Sequence, residues 1–315
     1  MTLDGQLICI FGGGGFLGRY ISQHLLSRGA RVRVAERDPK NAFYIKPLGN
    51  LGQTQLCSAD VTKKDSVLRA VHGCDAVINL VGILDGDFDA VHVTGARNIA
   101  EAATQAGCGA LVQMSAIGAD TASPSRYGQS KAEAEEAVLS AFPEAIILRP
   151  SIVFGREDQF INRFAGMIRM LPIVPIIRGE TKLQPVFVDD VAQVVAEALE
   201  HPELYAGQVF ELGGPEVISM SDLNRQIAKR IRRDRVFVEL PEIAAKIIAK
   251  LTGFLPGAPI TSDQYRMLLK DNVVSEGQAG MEAFGITPTP LAAVGHGWME
   301  TYTIHGRFGT QAKAG

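Results

Sequence analysis

Strand-like apolar segments recur along the first half of this chain, at residues 6–11, 31–35, 54–57, 75–80, 110–114 and 145–148. Helix-like stretches at 21–27, 66–71, 98–105 and 132–141 stand between them. Strands that alternate with helices pair in parallel, because each helix carries the chain back over the sheet. The pattern predicts an α/β fold, a Rossmann-type doubly wound parallel sheet with a smaller, interleaved C-terminal α/β cap. Such a sheet takes ligands beyond the carboxyl ends of its strands. There, directly after Leu7-Ile8-Cys9-Ile10-Phe11, stands Gly12-Gly13-Gly14-Gly15-Phe16-Leu17-Gly18. Gly12, Gly15 and Gly18 form a GxxGxxG pattern, and Gly13, Gly15 and Gly18 also satisfy GxGxxG. Glycines between a strand and a helix let bare backbone N–H groups reach a pyrophosphate.

The domain reading follows the same alternation. Residues 1–154 form the NAD(P)-binding body, with 186–213 returning to it through the strand-like run at 206–213. Beyond Pro150 the alternation weakens and prolines punctuate shorter elements, so 155–185 and 214–300 make the cap, and 301–315 is expected to be a tail. The formal net charge of −3 has both signs dispersed, which argues against a nucleic-acid partner. The first strand begins by about residue 6, so the expectation is a chain without a targeting peptide, in a bacterial cytoplasm. Four cysteines, Cys9, Cys57, Cys74 and Cys108, lack CxxC spacing and read as buried free thiols. The histidines show no metal-ligand spacing, so no metal is expected.

Behind the glycine loop, ordered positions look toward a dinucleotide. At the end of the second strand Glu36 and Arg37 stand about twenty residues past the glycines, where the adenosine ribose is read. A carboxylate there accepts from the 2′-hydroxyl of NAD(H); an arginine pairs with the 2′-phosphate of NADP(H). Both are present, and Arg37, with Arg19 beside the last glycine, inclines the reading toward NADP(H), while NAD(H) stays open. Asp60 and Val61 follow the third strand on the adenine side, and Asn79, Val81 and Gly82 follow the fourth on the cofactor floor.

Tyr127-Gly128-Gln129-Ser130-Lys131 places a phenol and an ammonium four residues apart, on one helix face. A neighbouring cation would lower the phenol from its usual value of about 10 and suit it to acid/base work. The pair serves equally as a grip on a bound nucleotide. Catalysis of this type also needs a hydroxyl to polarise a carbonyl, and after the fifth strand the sequence offers Ser115 and then Ala116. Two apolar, cation-bearing stretches, 160–177 and 243–255, suit a membrane surface, a partner groove or the interior of the cap.

These motifs resemble the extended short-chain dehydrogenase/reductase superfamily. Gly12, Gly15 and Gly18 match its glycine motif, Asp60 its adenine-side acid, Asn79 its strand-end asparagine, and Tyr127 with Lys131 its YxxxK pair. Pro150, within Leu148-Arg149-Pro150-Ser151-Ile152-Val153-Phe154-Gly155, lies in one of its later motifs. The chain is most similar to the atypical branch containing the nucleotide-binding accessory subunit of respiratory complex I, the alpha-subcomplex subunit nine type, and its bacterial counterparts. Phe154-Gly155-Arg156-Glu157-Asp158-Gln159-Phe160 and Leu268-Leu269-Lys270-Asp271-Asn272 carry that similarity. The resemblance implies a tightly held NADPH with a structural role, and complex I subunits near the quinone-reducing arm as partners. It also implies a place on the cytoplasmic face of a bacterial inner membrane. Two departures count against parts of this: Ala116 where catalytic members offer a hydroxyl, and Glu36 beside Arg37. The alternative is a soluble NAD(P)-dependent reductase, epimerase or dehydratase acting on a small carbonyl or nucleotide-sugar substrate through Tyr127, Lys131 and Ser115.

Overall fold

The computed structural model describes residues 2–243, 261–294, 296–304 and 306. Within them the chain divides into two compact units. The first comprises Met1–Pro150, Val188–Leu212 and Ser275–Thr287; the second comprises Ser151–Phe187, Gly213–Val274 and Pro288–Gly315.

The first unit is built on a seven-stranded sheet. Its strands are β1 (Leu7–Phe11), β2 (Arg31–Glu36), β3 (Thr54–Ser58), β4 (Ala76–Asn79), β5 (Ala110–Met114), β6 (Ile146–Pro150) and, far along the chain, Val209–Leu212, here β11. The spatial order is β11-β6-β5-β4-β1-β2-β3 and every pairing is parallel. The order reverses at β1, which lies between β2 and β4, so a switch point opens where Gly12 begins. The central strands are buried on both faces, which is why they read as continuous apolar runs rather than as alternations.

Helices α1 (Phe16–Ser27), α2 (Lys64–Val71), α3 (Gly95–Ala106), α4 (Arg126–Ala141) and α6 (Val188–Glu200) cover the sheet. The side chains of Cys9, Phe11, Val77, Leu111 and Ile147 on one face pack with Val67 and Val71 of α2, Ile99 and Ala103 of α3, and Val138 of α4. Each buried aliphatic side chain contributes about 1.5–3 kcal/mol. Helix α1 packs instead on α6, where His24 and Asp189 meet at 2.8 Å and Arg28 and Glu200 at 3.1 Å.

Several helices begin earlier than periodicity alone predicts. Helix α4 starts at Arg126, not near 132, because Ser125 caps it by accepting the Gly128 N–H at 3.0 Å. Tyr127 therefore sits in its first turn. Helix α3 is entered through a π-helical turn, Asp89–Thr94, that no apolar spacing announces. The cysteines are free; Cys9, Cys74 and Cys108 are buried and Cys57 half-buried.

The second unit holds β7 (Val153–Phe154), α5 (Ile161–Met170), β8 (Ile173–Ile176), β9 (Lys182–Leu183) and β10 (Val186–Phe187). After α6, α7 (Pro202–Tyr205) and β11 in the first unit, it continues with β12 (Ile218–Ser219), α8 (Met220–Arg230) and β13 (Val236–Glu239). Its strands form two-stranded ribbons, β7 with β10, β9 with β12, and β8 with β13. Phe154, Ile161, Ile168, Val174, Leu223, Ile227 and Trp298 fill its core.

These boundaries differ in part from the sequence reading. Residues 151–154 and 186–187 belong to the second unit, because their strands pair with each other and not with the large sheet. Ser275–Thr287, expected in the cap, returns to the first unit, where Phe284 stacks on Tyr205 at 4.3 Å and meets Phe210 at 4.7 Å. Of the expected tail, Thr301 and Tyr302 lie in a 3-10 turn, Glu300–Tyr302, with Tyr302 packed against the second unit's core. Residues 305 and 307–315 lie outside the described residues, as does 244–260, the greater part of the second apolar stretch.

Candidate cofactor site

The site grows from the end of β1. Gly12 adopts φ +75°, a left-handed conformation that side-chain-bearing residues rarely take, and turns the chain out of the strand. Helix α1 begins at Phe16 with Gly15 as its N-cap, which offers no side-chain acceptor, and its first turn contains no acidic residue. The helix thus presents uncapped N–H groups and the positive end of its dipole where a pyrophosphate would rest. Phe16 and Leu17 are half-buried in that first turn and Arg19 is exposed.

Gly18 is the point of closest approach. A Cβ placed there would lie 2.3 Å from the Gly13 carbonyl oxygen and 2.5 Å from the Gly13 Cα. Both are backbone atoms, which cannot swing aside as a flexible side chain can. Gly18→Ala is expected to destabilise the protein by about 1–3 kcal/mol and to abolish nucleotide retention. Thermal melting and the absorbance of the purified protein at the nicotinamide wavelength check both effects.

The adenosine side differs from a simple ribose reader. Glu36 points back into the loop and accepts the Gly14 N–H at 2.7 Å. Burial raises its carboxyl above the usual range, while the Gly14 N–H and Arg37 act in the opposite sense. One N–H of the loop is therefore taken by the protein itself. Arg37 is exposed and lines a surface groove with Ser58, Asp60, Lys63, Lys64 and Arg69. Asp60 shapes this rim, accepting from the Thr62 N–H at 3.1 Å and the Thr62 hydroxyl at 2.7 Å. Those bonds, with Lys63, hold its carboxyl below the usual range. Val61 is buried, and its carbonyl accepts from Asn98.

On the floor, Asn79 braces rather than reaches. Its amide donates to Gln113 at 2.8 Å and its oxygen accepts the Val81 N–H at 3.0 Å, so it fixes the turn that carries Val81 and Gly82. Gly82 is exposed and faces Lys131, whose Nζ would lie 3.4 Å from a Cβ there. Pro150 ends β6 and accepts the Ile117 N–H at 3.0 Å, which fixes the loop after β5.

Tyr127 and Lys131 come together as their spacing requires, but their electrostatics run opposite to the expectation. Lys131 is 5% exposed and donates to the Met114 carbonyl at 3.2 Å, with Nζ 5.8 Å from the Tyr127 ring centre. Desolvation brings its ammonium down to about 8, against the pull of Glu135. Desolvation likewise pushes the Tyr127 phenol up to about 12. Burial of both groups outweighs the attraction that would lower the phenol.

Ser115 is also redirected. It is buried, and its hydroxyl donates to the Glu135 carboxylate instead of standing free for a substrate carbonyl. Glu135 is in turn gripped by Arg149 through bonds of 2.9 and 2.6 Å, and Arg149 lies 3.7 Å from Glu211. The hydroxyl named as a polariser is thus one end of a buried ionic chain.

The sequence reading also passed over His92. The π-helical turn carries it inward, where Nε2 lies 2.9 Å from the Ile83 nitrogen and Nδ1 lies 2.8 Å from the Ser130 hydroxyl. A backbone N–H can only donate, so Nε2 accepts and the proton sits on Nδ1. The Ser130 hydroxyl in turn donates to the Tyr127 carbonyl at 2.8 Å. His92 and Phe88 also pack edge-on against the Tyr127 ring. Ser130 lies inside the YxxxK segment, the one signal in the sequence that could have pointed to this network.

Among solved structures the chain is similar to an NADPH-dependent quinone oxidoreductase from Escherichia coli complexed with NADPH. That match has a TM-score of 0.74, with 19% identity, 91% of this chain and 97% of that one covered, and speaks to the fold alone. Residues 8–213 match the NAD dependent epimerase/dehydratase family. The chain belongs to that family. Within it, the chain is homologous to subunit 9 of the NADH dehydrogenase [ubiquinone] 1 alpha subcomplex, mitochondrial. It is 35% identical to the Mus musculus protein over 297 residues, spanning 92% of this chain and 78% of the relative. The Arabidopsis thaliana protein of that name is 34% identical, covering 92% and 76%. The 40 kDa subunit of NADH-ubiquinone oxidoreductase from Neurospora crassa is 30% identical, covering 96% and 80%. Family membership supports a nucleotide cofactor, and the open N-terminus of α1 is suited to hold a pyrophosphate.

Proposed function

We propose that this chain is an NAD(P)H-binding accessory subunit, or assembly-associated protein, of a respiratory complex I-type NADH:quinone oxidoreductase, and that it holds its nucleotide as structure. The observation that carries the assembly half is homology to subunits of that enzyme over more than nine-tenths of the chain. The non-catalytic half rests on the Ser115 hydroxyl being committed to Glu135, with a phenol at about 12 above a lysine at about 8. The first turn of α1 holds the pyrophosphate, Tyr127 and Lys131 grip the nicotinamide ribose, and Val81, Gly82 and Pro150 line the floor. When bound, the nucleotide would supply hydride chemistry; these residues supply position and exclusion of water.

NADP(H) is the preferred form in this reading. Glu36 is occupied by Gly14, which lessens its repulsion of a 2′-phosphate, and Arg37 and Arg19 stand on that side. Partners near the quinone-reducing arm and a place on the cytoplasmic face of a bacterial inner membrane complete the proposal. Exposed apolar side chains in the second unit support a membrane-facing surface. Ile173 and Val236 are register partners, Val238 shares their face, and Met170 and Leu171 lead into β8. Among the described residues no helix is long and apolar enough to cross a membrane.

The experiment is purification from native membranes with mass-spectrometric identification of the retained nucleotide. The expected result is co-migration with the NADH:quinone oxidoreductase and retained NADPH that small carbonyl compounds do not oxidise. A protein wholly free of that complex would sink the assembly reading. Carbonyl-dependent oxidation of NADPH or NADH that Tyr127→Phe abolishes would establish the reductase alternative.

A further inference from the structure

Between β2 and β3 the chain winds as a 3-10 segment, Pro39–Leu48, capped by Asp38, which accepts the Lys40 N–H at 3.1 Å. Ala42 and Ile45 are fully buried and anchor it. Tyr44 remains 40% exposed, so it gains little from the core. Its bonds go to the phosphate loop. The Tyr44 hydroxyl lies 2.9 Å from the Gly14 carbonyl oxygen and 3.2 Å from that of Gly15, a forked donation. Its ring carries the Arg19 guanidinium 5.5 Å from the centroid.

Gly14 is consequently held at both polar groups, its N–H by the Glu36 carboxylate and its carbonyl by the Tyr44 phenol. The two side chains leave the chain on either side of Pro39 and close on one residue of the loop. Arg19 lies one residue beyond the last glycine of the motif and has a flexible stem that could swing toward either half of a dinucleotide. Stacking on Tyr44 draws it to the segment that follows β2, which is the adenosine side.

We infer that Tyr44 is a positioning residue of the nucleotide pocket, bracing the phosphate loop through its hydroxyl and seating Arg19 through its ring for the adenosine 2′-phosphate of NADP(H). This rests on the nucleotide-binding reading above and adds to it the residue that governs retention and phosphate selectivity. The two functions divide between two parts of one side chain, and two substitutions separate them.

Tyr44→Phe removes the hydroxyl and keeps the ring. It is expected to weaken NADPH and NADH alike, by about fivefold, the effect of one lost hydrogen bond. Tyr44→Ala removes the ring too, and is expected to lower the preference for NADPH over NADH by a further factor of about three. Arg19→Ala should reproduce that loss of preference, and adding Tyr44→Ala to it should change the preference no further. Affinities of the full chain for NADPH, NADH and adenosine 2′,5′-bisphosphate, from nucleotide fluorescence and calorimetry, are the readout. Tyr44→Phe keeps the test decisive even where Tyr44→Ala fails to fold. A wild-type chain that binds none of the three probes overturns the nucleotide reading itself. A wild type that binds them, with Tyr44→Phe equal to it or Tyr44→Ala keeping its preference, overturns only the role of Tyr44.

Discussion

Arg149→Ala is expected to destabilise the protein by about 3–5 kcal/mol at neutral pH, the cost of leaving buried charge without its counter-ion. The side chains of Glu135 and Glu211 are each 6% exposed, and Arg149 at 23% is the cation between them. Without it, Glu135 keeps the Ser115 hydroxyl and the more distant attraction of Lys131, and Glu211 keeps the Ser275 N–H, bonded at 2.7 Å. None of these replaces the hydrogen-bonded guanidinium. Urea unfolding of both proteins at pH 7 measures it. A deficit under about 1 kcal/mol at pH 7 would place the pair among weak surface bridges and remove the argument that Ser115 is locked by a rigid ionic chain.

That network also marks where the sequence stops being legible. The strands of the large sheet were readable because each is a short apolar run bounded by turn residues, and β11 because 206–213 keeps strand character after a helix. Helix starts were not readable from apolar spacing, since α4 is set by the Ser125 cap and its first turn contributes little apolar surface. The two-residue strands of the second unit have too few residues to show a period, and their pairing follows from long-range register alone. Ser275–Thr287 joins the first unit through Met281 and Phe284, two apolar residues in a stretch with no regular pattern.

In the site, the residue types were legible and their directions were not. The glycine spacing, Tyr127, Lys131 and the acid–arginine pair after β2 could all be named from the chain. Whether Glu36 turns toward a ribose or into the loop depends on where the Gly14 N–H points, and whether Ser115 faces a substrate depends on Glu135, a turn beyond Lys131 on α4. The phenol and lysine were expected to influence each other through charge. Desolvation decides instead, and it depends on packing by Phe88 and His92, which belong to a segment unremarkable in sequence.

His92 supplies the second large effect. Burial first, and then the nearby Lys131 and Arg126 charges, bring its imidazolium down to about 3 from the ordinary 6.5. The folded protein therefore keeps it neutral across a range in which the unfolded chain protonates it. Between those two values the unfolded state binds one more proton, so stability rises with pH and is lost on acidification, by about 1.4 kcal/mol per pH unit. The loss begins near pH 6.5 and levels off near pH 3, the folded value. Other groups titrate in this window: Asp189, Glu133 and Asp60 are held low, and Glu36 and Asp158 are raised. Comparison with His92→Gln isolates the histidine, because those groups are common to both proteins. At pH 8 the variant should be the less stable by about 1–3 kcal/mol, having disturbed the bonds to Ile83 and Ser130. As pH falls toward 4.5 the gap should shrink by about 2–3 kcal/mol, since glutamine has no proton to take up. Parallel stability curves for the two proteins between pH 8 and pH 4.5 would mean that His92 takes up its proton in the native state as readily as in the unfolded chain, and Nε2 could not then be held as the acceptor of the Ile83 N–H.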